Sequence, residues 1–251
     1  MPEFSERYVP SAHGYEIPVL SAVNADSKEI LLCLHGFAGD KHSSVIAAVA
    51  DAVKGDGIGA VTFDWPAHGK SRAADSALTV QNCLEDLNAV YAAVCRRGLP
   101  VSCFATSFGG YLATLWRSAH PDAFRKLILR SPALKMRDVY GRILTDAQKA
   151  ALESGGSVVV GFERKMTLDR AFGDSLAQHD AFTLAAPSPD DVLILQGDAD
   201  DVVLPQDTAE YAEKNGIRVA WFRGSDHRYK QEGDRARIAR TARAFLLGAE
   251  L

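Results

Sequence analysis

The chain is poor in the features that mark several protein classes. It has four cysteines in 251 residues, Cys33, Cys83, Cys95 and Cys103, with no C-x-x-C pair and no Cys/His cluster at metal-ligand spacing. A zinc site or a disulfide framework is therefore not expected. Cys33 and Cys103 sit inside short apolar runs, where cysteine acts as a small hydrophobe. No run approaches the roughly 18 apolar residues of a membrane span, and the first ten residues carry Glu3, Glu6 and Arg7 without an apolar stretch behind them. Neither a membrane segment nor a signal peptide is expected, and a reduced, cytoplasmic protein is the default expectation. There is no excess of positive charge either. The net charge is −4, which gives no footprint for nucleic acid. The one dense basic stretch, Arg235, Arg237, Arg240 and Arg243, has the spacing of the wet face of a last helix, with a partner-binding patch as the alternative.

What is present is ordinary globular chemistry, 47% hydrophobic and 24% charged residues, in a chain long enough to bury one large core. Short β-like runs alternate with longer helical patterns. Strands are expected at 30–34, 60–63, 101–105, 127–129, 192–195 and 218–222, and helices at 43–54, 79–96, 111–118, 206–214 and 234–247. That alternation predicts an α/β fold with a mostly parallel sheet covered by helices. Between 135 and 189 the rhythm breaks into a helical piece at 145–153, a β-rich run at 157–161 and a second helical piece at 168–179. This stretch is too long and too structured for a loop, so it is expected to be an insertion within a single domain spanning 1–251.

The strongest local signal is Ala105-Thr106-Ser107-Phe108-Gly109, between an apolar strand and a helix. A tight strand-to-helix turn pushes a nucleophile out of the sheet and leaves no room for bulk two residues to either side. Ala105 departs from the usual G-x-S-x-G but keeps the small residue. The competing reading is a turn in which Ser107 only caps the helix.

Four further motifs carry a resemblance to the α/β-hydrolase superfamily over nearly the whole chain. His35-Gly36-Phe37 follows an early strand, Asp64-Trp65-Pro66-Ala67-His68-Gly69-Lys70-Ser71 matches a D-x-x-x-H-G-x-S loop, and Gly197-Asp198-Ala199-Asp200-Asp201 and Gly224-Ser225-Asp226-His227 follow the last two strands. The resemblance is nearest to small bacterial carboxylesterases with an inserted lid, including feruloyl-esterase-like and serine-aminopeptidase-like members. It implies a Ser107–Asp200–His227 triad in the chain order usual for this fold. Asp200 fits the glycine-plus-three spacing of the family's acid, and Asp198 and Asp201 are the alternatives. It also implies an oxyanion hole from the backbone N–H groups of Phe37 and Phe108, a scaffold role for His68, and a lid over 135–189. Phe162 and Phe172 would face the substrate from that lid, or else, with Met166, Leu168 and Leu176, pack it onto the core. The implied activity is hydrolysis of a small-molecule carboxylic ester through an acyl-enzyme, with no metal, cofactor, nucleic acid or membrane. Thioesterase, amidase or aminopeptidase chemistry would use the same triad. A ligand-binding protein of this fold is the alternative of another class, although a pure binder has no need of all three triad groups.

Overall fold

The run Glu29–Leu34 forms a strand buried on both sides. Ile30, Leu32 and Leu34 enter one apolar cluster and Leu31 and Cys33 another, on the opposite face. Because side chains alternate along a strand, an unbroken apolar run requires cover on both faces of the sheet. The computed structural model describes residues 3–161 and 164–250 and supplies that cover. In chain order the elements are β1 (Ser5–Pro10), β2 (Glu16–Ala22), β3 (Glu29–Leu34), α1 (Ser44–Val53), β4 (Ile58–Phe63), α2 (Val80–Cys95), β5 (Val101–Thr106), α3 (Phe108–Ala119) and β6 (Leu127–Arg130). They continue with α4 (Met136–Ile143), α5 (Asp146–Glu153), β7 (Val158–Val160), β8 (Met166–Leu168), α6 (Arg170–Ala177), β9 (Val192–Gly197), α7 (Pro205–Asn215), β10 (Arg218–Phe222) and α8 (Asp234–Leu247).

The main sheet has eight strands in the order β1-β2-β4-β3-β5-β6-β9-β10. From β4 to β10 all neighbours are parallel, while β2 runs antiparallel to β4 and to β1. Helices α1 and α8 pack together over the face that holds Leu31, Phe104 and Leu193. Helices α2 and α3, with α4 and α6, cover the other face. This is the architecture of an α/β hydrolase.

The strand order places the site. The chain steps outward from β3 to β4 and then returns to the other side of β3 as β5, so α1 and α3 leave adjacent strands on opposite faces. A crevice opens at the carboxyl ends of strands at such a switch point. His35-Gly36-Phe37 follows β3 there, and Ser107 follows β5.

Three regions differ from the sequence-based expectation, one of them being β8, which pairs antiparallel with β7 and takes Leu168 from the helical piece expected at 168–179. The β1–β2 hairpin is additional: β1 is exposed along nearly its whole length, so it has no apolar alternation to read. Helix α4 is also additional, and Met136, Val139 and Tyr140 on its buried face join the main core. Elsewhere the boundaries move by one to three residues. Thr79, for example, stands just outside α2 and caps it by accepting from the Asn82 N–H.

Candidate active site

Ser107 occupies a backbone conformation that side chains avoid, with φ 50° and ψ −113°. Positive φ in a non-glycine residue costs on the order of 1–3 kcal/mol and persists only where its surroundings enforce it. Here the Ser107 N–H donates to the Arg130 carbonyl (2.9 Å), and the Ser107 carbonyl accepts from Tyr111 and Ala133 (3.0 and 3.1 Å). Small neighbours make the turn possible. A Cβ on Gly109 would stand 2.6 Å from the His35 carbonyl oxygen and 2.8 Å from that of Leu34. A Cβ on Gly36 would lie 3.2 Å from the Ser107 Cβ, so the chain leaving β3 runs directly beside the serine. Ser107 does not cap α3 with its side chain.

The His227 ring stands between two partners. Its Nδ1 lies 2.8 Å from Asp200 Oδ2 and its Nε2 lies 3.1 Å from Ser107 Oγ. A carboxylate can only accept, so Nδ1 carries the proton and Nε2 presents its lone pair to the serine hydroxyl. Asp200 is buried, and four donors converge on it. Val202 and Val203 N–H groups bind Oδ1 at 3.0 and 2.8 Å, and Gln196 Nε2 (3.2 Å) and His227 bind Oδ2. Burial pushes its carboxyl up, but the hydrogen bond and charge of His227, with the Val203 amide, outweigh that and leave it below the ordinary carboxylate range. Asp198 and Asp201 are both exposed, and Asp198 instead accepts from the Gly224 N–H.

Phe37 follows Gly36, which runs beside the Ser107 side chain, and Phe108 follows Ser107 directly. Phe108 opens α3, where a first-turn N–H has no partner inside the helix. Among the described residues no hydrogen bond occupies either amide. The loop after β3 is pinned by a buried ion pair that the sequence motifs did not reveal. Lys41 Nζ lies 2.6 Å from Asp64 Oδ2, and the backbone N–H groups of Lys41 and Lys70 also donate to Asp64. Gly69 has positive φ, and a Cβ there would overlap the Asp64 carboxylate. That contact explains the D-x-x-x-H-G spacing physically. His68 is buried and donates through Nδ1 to the Pro66 carbonyl (2.8 Å). Desolvation first, then neighbouring His35, pushes its pKa down to about 3, so it stays neutral.

Sequence motifs also passed over Arg130. Its guanidinium donates to the His227 carbonyl at 2.6 Å and lies 4.2 Å above the centre of the Tyr229 ring. It holds the loop that carries His227, and burial lowers its pKa. Only its place at the end of β6, beside the serine turn, could have pointed to it.

The cleft over Ser107 encloses about 1220 Å³. The segment between β6 and β9 forms part of its wall through Met136, Val139, Ile143, Val160 and Met166. Phe172 is not on that wall. It is buried, stacked on Phe37 at 5.5 Å between ring centres and edge-on to Tyr140 at 5.0 Å. Of the two readings for this side chain, the geometry places it among those that pack the insertion onto the core. Phe162 lies outside the described residues.

The chain belongs to the α/β hydrolases by fold and site geometry. More narrowly, residues 25–178 match the family described as serine aminopeptidase, S33, and the chain belongs to that family. No curated protein matches it. Among solved structures it resembles Est1E from Butyrivibrio proteoclasticus bound to ferulic acid, at 18% identity, 96% of this chain, 98% of that chain and a TM-score of 0.81. It also resembles a putative hydrolase from Agrobacterium vitis S4 at 23% identity, covering 97% of this chain and 98% of that one with a TM-score of 0.81. A third is the alpha/beta hydrolase domain-containing protein 10 from mouse, at 18% identity, 97% and 99% coverage and a TM-score of 0.79. Among the described residues no helix is long and apolar enough to cross a membrane.

Proposed function

We propose that this hydrolase cleaves carboxylic esters through an acyl-enzyme on Ser107. The observation that carries the reading is the unbroken relay from Asp200 through His227 to a strained, cleft-facing Ser107. His227 Nε2 takes the proton of Ser107 as Oγ attacks the carbonyl, and Asp200 stabilises the imidazolium that forms. The carbonyl oxygen gains negative charge, and the backbone amides of Phe37 and Phe108, which donate to no partner among the described residues, bind it in this reading at about 3 kcal/mol per donor. The tetrahedral intermediate collapses as His227 passes its proton to the leaving alcohol. A water then gives a proton to His227 while attacking the acyl-serine; collapse releases the acid and returns that proton to Ser107 Oγ. The insertion over 135–189 acts as a lid that selects the substrate without joining the chemistry.

The cleft favours esters over aminoacyl substrates. Among the described lining residues only Asp40 is a carboxylate, so a free α-ammonium would meet cations rather than a counter-charge. The test is labelling with a fluorophosphonate probe, followed by peptide mapping and a panel of p-nitrophenyl esters alongside aminoacyl p-nitroanilides. Ser107 should carry the label and the esters should turn over. No labelling of the folded protein, or labelling that survives in Ser107→Ala, would refute the assignment.

A further inference from the structure

The last residue of β6 and the one after it touch all three segments that carry the triad. β6 lies between β5 and β9 in the sheet, so its carboxyl end stands between the serine turn and the acid loop. The Arg130 carbonyl accepts from the Ser107 N–H at 2.9 Å, and the Arg130 guanidinium donates to the His227 carbonyl at 2.6 Å. One residue thus holds the nucleophile by its backbone and the base by its side chain. Ser131 is fully buried. Its N–H donates to the Leu195 carbonyl (2.8 Å), and its Oγ lies 3.2 Å from the Tyr229 hydroxyl, which donates to that same carbonyl (3.1 Å). The Ser131 hydroxyl also faces Asp200, where it favours the ionised carboxyl.

Two features separate this cluster from ordinary packing. Ser131 and Tyr229 both have positive φ, 41° and 52°, as Ser107 does. Such backbone is unfavourable for a residue with a side chain, and it gathers where a site needs fixed placement. Arg130 is buried as well, and its Nε has no partner among the described residues. A buried guanidinium with an idle donor destabilises a fold, and a well-packed apolar side chain would avoid that loss. Stability alone therefore does not account for Arg130. The Tyr229 ring lies 4.2 Å from the guanidinium carbon, and the charges of Asp200, Asp226 and Asp234 favour the cation there. The ring bonds of His227 to Asp200 and Ser107 align the imidazole only once its backbone is placed, and Arg130 supplies the bond to that backbone. We infer that Arg130 is a positioning residue which, with Ser131, sets the reach of His227 Nε2 to Ser107 Oγ and so the rate of proton transfer. This inference rests on the proposed esterase reading and names what aligns its triad.

The experiment compares Arg130→Met, Arg130→Lys and Ser131→Ala with wild type on p-nitrophenyl acetate, and follows the downfield proton NMR resonance of the His227 Nδ1–H. Leu87→Ala, a buried α2 substitution away from the cleft lining, controls for lost stability. Arg130→Met should lower kcat about a hundredfold, the effect of displacing a reacting group by about 1 Å, with KM within about twofold of wild type. It should also abolish the resonance. Ser131→Ala should lower kcat about fivefold, as expected for one neutral hydrogen bond. Arg130→Lys keeps the cation without the planar fork and should fall between the two. Leu87→Ala should melt at a lower temperature yet keep both kcat and the resonance. A folded Arg130→Met with kcat within about threefold of wild type, or with the resonance intact, overturns the inference. An equal loss of kcat and resonance in Leu87→Ala overturns it too. If Arg130→Met does not fold, Arg130→Lys and Ser131→Ala decide, and wild-type kcat in both overturns it. The resonance needs no substrate, so the two readings fail separately. A wild type that hydrolyses no ester, with the resonance lost in Arg130→Met, sinks the esterase reading and leaves the positioning role. An active wild type with an unaffected Arg130→Met does the reverse.

Discussion

Replacing Asp200 with asparagine keeps the size of the side chain and changes one group from acceptor to donor. In the native site two backbone N–H groups bind Oδ1, and two side-chain donors, His227 Nδ1 and Gln196 Nε2, bind Oδ2. An asparagine oxygen has to face the Val202 and Val203 amides, because those donors cannot turn into acceptors. Its NH2 then points at His227 and Gln196. Gln196 cannot flip in response, since its Nε2 also donates to the Gly197 and Val203 carbonyls and its Oε1 accepts from Thr208. His227 can respond by moving its proton to Nε2. The ring then donates to Ser107 instead of accepting from it, and general-base catalysis stops. A wrong tautomer of this kind costs about 10⁴ in kcat, or roughly 5 kcal/mol at about 1.36 kcal/mol per tenfold. The assay is single-substrate kinetics on p-nitrophenyl acetate, with circular dichroism to check folding and with Asp198→Asn and Asp201→Asn as controls. A folded Asp200→Asn retaining more than about a hundredth of wild-type kcat, or an Asp201→Asn that loses as much, would refute the reasoning. The same substitution has a pH signature. The native Asp200 carboxyl titrates below the ordinary value of about 3.9, so its stabilisation is present above that pH and is lost as pH falls through the native value. The melting-temperature gap between wild type and Asp200→Asn should therefore close on acidification, and a gap that widened would count against the pairing.

Gly109→Ala should destabilise the fold by about 2–4 kcal/mol in denaturant titrations, because its Cβ would press on two backbone carbonyl oxygens that cannot yield; a loss under about 0.5 kcal/mol would contradict the contact. Phe172→Ala should cost about 3–5 kcal/mol of stability. Ile143→Ala, at a cleft-lining side chain with 45% of its surface exposed, should instead reorder the ester panel with little change in melting temperature. The opposite pattern would mean that Phe172, not the α4 face, meets substrate. Both Ser107→Gly and Ser107→Ala should be inactive, and glycine should be the more stable variant by about 1 kcal/mol, having released the positive-φ strain. Equal melting temperatures would show that the turn is unstrained.

The sequence by itself determined the elements whose chemistry is local. Apolar runs ending in His35-Gly36 and in Thr106-Ser107 mark strands buried on both faces, because nothing else tolerates such continuous hydrophobicity in a helix-covered sheet. The serine turn is legible because only small residues fit against the neighbouring strand end, and Gly69 is legible beside Asp64 for the same steric reason. Tertiary structure alone decided the rest. Three aspartates stand within four residues after β9, and no local pattern says which one turns inward; the Val202 and Val203 amides and Gln196 select Asp200. The Lys41–Asp64 and Arg130–His227 contacts join residues 23 and 97 positions apart, so each partner looks like an ordinary surface charge when read alone. Phe172 and Ile143 are both apolar residues of one insertion. Which of them is core and which is cleft wall depends on the angle at which α4 and α6 meet the sheet, and packing across long sequence separations sets that angle. Arg235 follows the same logic: helical spacing puts it on a solvated face, and only the placement of α8 beside the His227 loop turns that face toward the cleft.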